Sequence, residues 1–367
     1  MSTTQRILAA LLVCLAVGSL QAETPSKKEV QALVEKAHAF LKNAQSSTGG
    51  FSERFAGPGV TSLVVVGLVR NGVSVDDPVV SKALKAIEKF SNEDGGIYRR
   101  RLANYTTSVA VMALSEANVK GKYDAMIKKA ANFLKGLQNG SDGKVKEEDD
   151  HFGGTGYDGK SRPDLSNTQF FLDALLAAGV KKDDPAVQRA LVFISRCQNL
   201  SGESNKLEFA KKATADDKGG FTYSHLHAKA EKHRDKTPLG GLRSLGAMTY
   251  AGLKSFLYAG VKKSDPRVQG AIRWIRRHYT LKENPGLGRS GLYYYYHTFA
   301  KAMTALGENP FVDASKKKHD WKAELFQVLK KQQRSDGSWI NKGDRTFGEG
   351  DPNLATAFAL ICLSYVH

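Results

Sequence analysis

Cysteine is scarce in this chain: Cys14, Cys197 and Cys362 are the three in 367 residues. Cys14 sits in an apolar leader, and the other two lie far apart, one at the end of an amphipathic segment and one inside an apolar run. Two isolated thiols make neither a disulfide framework nor a metal cluster, and they read as small buried side chains. Period-two alternation of useful length is also missing, which argues against a sheet protein. Acidic residues are few beside basic ones, 37 against 54, leaving a formal charge of +17. That balance favours contact with anionic surfaces, acidic glycans or phosphates. Many of the lysines, Lys27, Lys28, Lys36, Lys42, Lys128, Lys129 and Lys135 among them, fall at solvent-facing helical positions, so scattered solvation is the reading and a nucleic-acid face is not. At 41% hydrophobic and 25% charged, the composition is that of a globular protein and not a disordered or membrane-embedded one.

The first 22 residues read as a secretory signal peptide. Arg6 supplies the positive start, residues 7–17 the apolar run, and Gly18-Ser19-Leu20-Gln21-Ala22 a small-residue end. The expected location is therefore secreted or periplasmic, with residues 23–367 as one domain.

What is abundant is a repeated theme. A Gly- and aromatic-rich turn is followed by a polar stretch containing Thr and then by an apolar helix. Aligned on the Thr, it occurs six times, at Thr61, Thr107, Thr168, Thr249, Thr298 and Thr356, with spacings between 46 and 81 residues. Each apolar segment is preceded by an amphipathic one, such as residues 28–45 with Val30, Leu33, Val34, Ala37, Phe40, Leu41 and Ala44 on one side. Asp76-Asp77-Pro78, Asp183-Asp184-Pro185 and Ser264-Asp265-Pro266 mark helix starts, Asp capping and Pro opening the first turn. Residues 199–242 are the longest insertion, expected at the mouth of the fold. Six amphipathic and six apolar helices in strict alternation predict an all-α (α/α)6 toroid, a barrel of six helical hairpins. The inner helices then run parallel and gather their N-terminal ends at one rim, with Tyr98, Tyr105, Tyr157, Tyr223, Tyr250 and Tyr294 nearby.

The runs Gln138-Asn139-Gly140-Ser141-Asp142-Gly143 and Gln332-Gln333-Arg334-Ser335-Asp336-Gly337-Ser338-Trp339 resemble the Gln/Trp repeats of the squalene-hopene cyclase and protein prenyltransferase β-subunit superfamily. Gly49-Gly50-Phe51, Gly95-Gly96-Ile97 and Gly219-Gly220-Phe221 extend the resemblance over the mature chain. It implies an α/α toroid whose central apolar cavity binds isoprenoids. The terpenoid cyclases of this superfamily place Asp-x-Asp-Asp-Thr at the head of an inner helix; the matching run is Asp164-Leu165-Ser166-Asn167-Thr168, with Ser166 in the proton donor's place. A Ser hydroxyl is too weak an acid to start a carbocation cascade. The prenyltransferase zinc ligands match only at His297, in Tyr296-His297-Thr298, while Ala247 and Thr249 stand at the Asp and Cys positions. One ligand of three does not hold a catalytic zinc.

These residues predict an exported cyclase- and prenyltransferase-like repeat protein that binds a lipid or isoprenoid-like molecule, the usual acid and zinc motifs being degenerate. Asp164 is the acid candidate and His297 the acid/base candidate. Tyr105, Tyr157, Asn167, Tyr250 and Tyr294 are the candidate ligand contacts, and no cofactor is expected. If the tyrosine run 293–296 is extended, alternate rings face the cavity. His225, His227 and His233 lie among Lys229, Lys232, Arg234 and Lys236, whose charge opposes a metal ion. Expected partners are the hydrophobic small molecule and, peripherally, an anionic membrane surface. Two alternatives stay open: an (α/α)6 hydrolase or lyase of acidic polysaccharide, which requires two facing carboxylates, and a scaffold with no small ligand.

Overall fold

The computed structural model describes residues 24–344 and 346–367. The expected leader lies outside the described residues. Twelve helices alternate between two concentric layers. The outer ones are α1 (Lys27–Ala44), α3 (Pro78–Glu88), α5 (Asp124–Leu137), α7 (Pro185–Arg196), α9 (Pro266–His278) and α11 (Trp321–Gln332). The inner ones are α2 (Gly59–Arg70), α4 (Ala103–Glu116), α6 (Leu165–Ala177), α8 (Gly246–Tyr258), α10 (Leu292–Leu306) and α12 (Pro352–Leu363). Each inner helix packs against the next, and α12 packs back on α2, which closes the ring. The outer helices bury one stripe each, whereas α2 buries every residue from Gly59 to Leu68. The expected toroid is therefore the observed architecture. Among the described residues the only ladder is a two-residue pair, Phe311–Val312 with Lys318–His319.

Local chemistry sets the helix starts. Ser26 and Glu29 form a reciprocal cap on α1. Asp77, Asp184 and Asp265 accept the free amides of Val79, Ala186 and Arg267, each with Pro in the first turn. The tyrosine run is a correction to the extended reading: Tyr293 to Tyr296 lie inside α10, so they point around the helix and not alternately to two sides.

The repeat is held at the rim by two recurring hydrogen bonds. Thr61 Oγ1 accepts the Phe51 N–H at 2.9 Å, and Thr107, Thr168, Thr249 and Thr356 accept those of Ile97, Thr155, Phe221 and Trp339 at 2.9 to 3.1 Å. Each bond ties the turn to the head of its own inner helix. A glutamine amide then ties the turn to the neighbouring hairpin. Gln45 Nε2 donates to Gly49 O and Val79 O, Gln138 to Gly153 O and Ala186 O, and Gln198 to Gly219 O and Arg267 O. Gln333 donates to Gly337 O and to Leu33 O on α1, which joins the last hairpin to the first.

The turn glycine is required at this joint. Gly337 has φ +88°, and a Cβ on it would lie 2.2 Å from the Lys36 carbonyl oxygen. Gly337→Ala adds left-handed strain and a backbone clash at the seam of the ring, an expected loss of roughly 3 kcal/mol or more. Gly179, at φ +77° with open space around it, isolates the strain alone, so Gly179→Ala is expected to cost only about 1 kcal/mol. Urea unfolding followed by circular dichroism compares the two, and equal losses would rule out the seam contact.

Candidate functional site

A cavity of about 800 Å³ opens at the rim where the inner helices begin. Its wall is mostly apolar: Phe55, Ala56 and Val60 at the head of α2, Tyr105 on α4, Phe170 on α6, Tyr294 on α10, and Leu354 and Phe358 on α12, with Tyr157 and Phe347 from the rim loops. Several of the polar groups on the wall are engaged with one another or with the backbone. Ser166 Oγ and the Tyr294 hydroxyl share a hydrogen bond at 2.9 Å. Tyr105 stands edge-on to Phe170 at 5.2 Å between ring centroids. Of the expected ligand contacts, Tyr105, Tyr157, Asn167 and Tyr294 line the cavity.

Asp164 lies just behind the wall as the cap of α6. Its two carboxylate oxygens accept the backbone and side-chain N–H groups of Asn167, both at 2.8 Å. Burial pushes its carboxyl up to about 6, against the pull of those Asn167 bonds and of the Tyr223 hydroxyl. It is a weak acid with its oxygens already occupied.

The long insertion supplies the mouth. The Leu165 N–H donates to Tyr223 O, and the Ser224 hydroxyl donates to Pro163 O, pinning the insertion to the head of α6. A short helical turn, His225–Lys229, follows. It brings His227 to within 2.9 Å of Asp235, Nδ1 to Oδ2, and the His227 ring stacks on His233 with centroids 3.8 Å apart. All three residues line the cavity. Lys229 pairs with Asp150 and Lys236 donates to Ala230 O, whereas Arg234 approaches Asp235 at 3.7 Å. His225 is held elsewhere, between the Cys197 thiol and the Asp150 carbonyl.

Two expected site residues are off the wall. The Tyr250 ring is packed between Tyr295 and Phe299, at 5.6 and 5.0 Å, in the interface of α8 and α10. His297 is fully buried beneath the floor, its ring against Phe358 at 5.3 Å and Phe170 at 6.0 Å. Burial holds its imidazole well below the usual value, and Lys301 and Lys254 add to that. A neutral ring shielded by two phenylalanines is not placed to exchange protons with a bound molecule.

Below His297 the barrel contains a charged layer that sequence reasoning missed. Asp173 on α6 accepts from Lys254 on α8 at 2.7 Å and also from Lys301 on α10. Gln169 accepts from Lys254 as well. Burial disfavours the Asp173 carboxylate, but the two ammonium groups override it and hold it at about 2. Burial in turn brings Lys254 down to about 7 against the attraction of Asp173. The available signal was one charge in each of three otherwise apolar helices: Asp173, Lys254 and Lys301.

Two measurements test this electrostatic picture. Between about pH 4 and 6 the folded chain keeps a proton on Asp164 that the unfolded chain has released, so stability falls as pH rises through that window, by at most about 3 kcal/mol. Asp164→Asn retains the cap, and its unfolding midpoint is expected to lack that decline; parallel curves would contradict the buried acid. Asp173→Asn strands two buried ammonium groups and is expected to cost about 3–5 kcal/mol in urea unfolding. The cost of Lys301→Met is expected to be clearly smaller, since Lys254 remains as counter-ion.

The squalene-hopene cyclase C-terminal domain family matches residues 55–218, somewhat under half of the chain. Among solved structures, an α-amylase from Clostridium perfringens is 12% identical and superposes with a TM-score of 0.56, covering 94% of this chain and 99% of its own. The GH76A α-1,6-mannanase from Salegentibacter sp. HEL1_6 is 10% identical, with a TM-score of 0.57 and coverage of 92% and 98%. At such identities these likenesses establish the fold alone. The type II terpene cyclase MstE from Scytonema is 16% identical over 93% and 98% of the two chains, but its TM-score of 0.36 is too low to add to the assignment. No curated protein matches the chain. The chain is thus an α/α toroid, and its residues 55–218 are similar to the squalene-hopene cyclase C-terminal domain.

Proposed function

We propose that this protein is exported and binds a lipid or isoprenoid-like molecule in the rim cavity, without acid-initiated cyclisation. The observation that carries the reading is the wall: Phe55, Val60, Tyr105, Phe170, Tyr294 and Phe358 surround about 800 Å³ of space, a volume and lining suited to an apolar ligand of some tens of atoms. The family match supports the same ligand class. Reaction chemistry has little to work with. Ser166 stands where a strong acid is needed, and the neighbouring Asp164 is occupied by Asn167. The +17 charge and the exposed Phe55 at the mouth fit a peripheral contact with an anionic membrane surface, from which such a ligand is drawn.

The glycan alternative needs two free carboxylates facing each other. Those on the wall are engaged: Asp344 accepts the amides of Thr346 and Phe347, Asp351 caps α12 through the Asn353 amide, and Asp235 holds His227. A scaffold without ligand has no use for an open apolar chamber.

Solvent extraction of the purified mature protein followed by mass spectrometry is expected to release a stoichiometric amphiphile or isoprenoid. Ala56→Trp fills the chamber from the half-buried head of α2 and is expected to lower the bound amount at least roughly tenfold, about 1.4 kcal/mol, with the unfolding midpoint preserved. Recovery of oligosaccharide, or of equal lipid from the variant, would sink the reading.

A further inference from the structure

We propose that His227, His233 and Asp235 form a binding site for a divalent transition-metal ion of the zinc class at the mouth of the cavity. Two imidazoles and one carboxylate are the donor set this class prefers, and three protein ligands leave a further position open. One donor atom from each of the three residues lies within 4.8 Å of the others. The closest approaches are 2.9 Å from His227 Nδ1 to Asp235 Oδ2 and 3.5 Å from His233 Nδ1 to the same oxygen. Donors bound at zinc distances of about 2.0–2.1 Å in a tetrahedron stand roughly 3.3 Å apart, close to these spacings, and the two stacked rings, 27° apart in plane, splay to bring both lone pairs onto an ion.

The scaffold around the three is already fixed. His227 sits on the short helical turn, whose first residues are held by Ser224. Asp235 O accepts the Arg243 N–H at 2.7 Å, which fixes the other strand of the loop. His227 and Asp235 are each 5% exposed. The nearby positive charges leave room. Lys229 and Lys236 are turned to Asp150 and Ala230, and Arg234, its side chain 70% exposed, approaches Oδ1 of Asp235 at 3.7 Å, leaving Oδ2 to the histidines. The Asp235 N–H donates to His233 Nδ1 at 3.2 Å, so that nitrogen carries its lone pair toward Asp235; the ion would replace this bond. All three side chains line the cavity, so the open position faces the chamber.

The test uses the full mature chain after chelator treatment and dialysis, with no lipid added, so its outcome is independent of the ligand in the chamber. Addition of Co²⁺ is expected to produce the visible absorption of a low-symmetry, few-coordinate cobalt centre at one equivalent, and Zn²⁺ is expected to displace it. H227A, H233A and D235N are each expected to weaken Zn²⁺ binding at least ~10-fold, while H151A on the neighbouring exposed loop leaves it unchanged. X-ray absorption at the zinc edge of the unmutated protein is expected to show two imidazoles, which keeps the test decisive should a variant fail to fold. The absence of stoichiometric binding, its retention in H227A/H233A, or zinc without imidazole scattering would overturn the site and leave a plain His–Asp pair.

Discussion

The structure depends on what happens to one backbone N–H in each rim turn. The residue two after the first turn glycine is buried, and its amide has no partner in the turn itself. A buried donor left unpaired costs on the order of 1–3 kcal/mol, and five hairpins meet that demand with the same inner-helix threonine. The glutamine amide meets the matching demand of the carbonyls, joining one turn to the start of the next outer helix. Because the bonds always run between a turn and the head of an inner helix, all the heads must come to one rim. The cavity's position follows from that constraint before any ligand is considered.

The fifth hairpin shows the rule by departing from it. Its inner-helix threonine accepts no turn amide, and Thr298 donates to Tyr295 O inside its own helix. The amide at the head of α10 is taken instead by Glu349, which accepts the Tyr294 N–H at 2.8 Å and is itself held by Asn341. Burial holds the Glu349 carboxyl above its ordinary range. A loop from the sixth hairpin thus does the work of a turn in the fifth, and the same loop contributes Phe347 to the cavity wall. The rim is irregular where the chamber opens, and regular where it only has to hold.

The architecture was legible because it is repeated: six spaced threonines, three Asp-Pro helix starts and the alternation of striped and uniformly apolar segments each point to hairpins in a ring. The site was legible in part, and the division has a physical basis. Tyr105, Tyr157, Asn167 and Tyr294 lie at the first turns of inner helices or in rim loops, where sequence position alone places a side chain near the opening. Tyr250 and His297 also lie early in inner helices, but those helices are apolar all round, so no hydrophobic stripe states which way a residue faces. Tyr250 turned into the α8–α10 interface, and His297 turned inward one layer too deep. The charged layer was hidden for a different reason. A lone charge in each helix was visible, whereas the pairing of Asp173 with Lys254 and Lys301 spans 81 and 128 residues, and only closure of the ring brings them together. The histidine–aspartate group at the mouth was obscured by its neighbours in sequence, of which the fold turns Lys229 and Lys236 away while Arg234 stays beside Asp235.

The vertical order of the barrel also bears on chemistry. One carboxylate, Asp173, faces two ammonium groups, so the layer carries excess positive charge wherever both lysines are protonated, that is below about pH 7 by the value at Lys254. In a dry interior, charge acts over longer distances and with less screening than in water. Burial, with that excess adding to it, keeps His297 neutral directly under Phe170 and Phe358, and those two rings form part of the cavity wall. Below that pH a cation in the chamber would sit above a positive floor. The serine at position 166 and the lysines at the base of the barrel both fit the proposed reading of an apolar ligand without a cationic intermediate, with polar groups such as His227, His233 and Asp235 at the mouth.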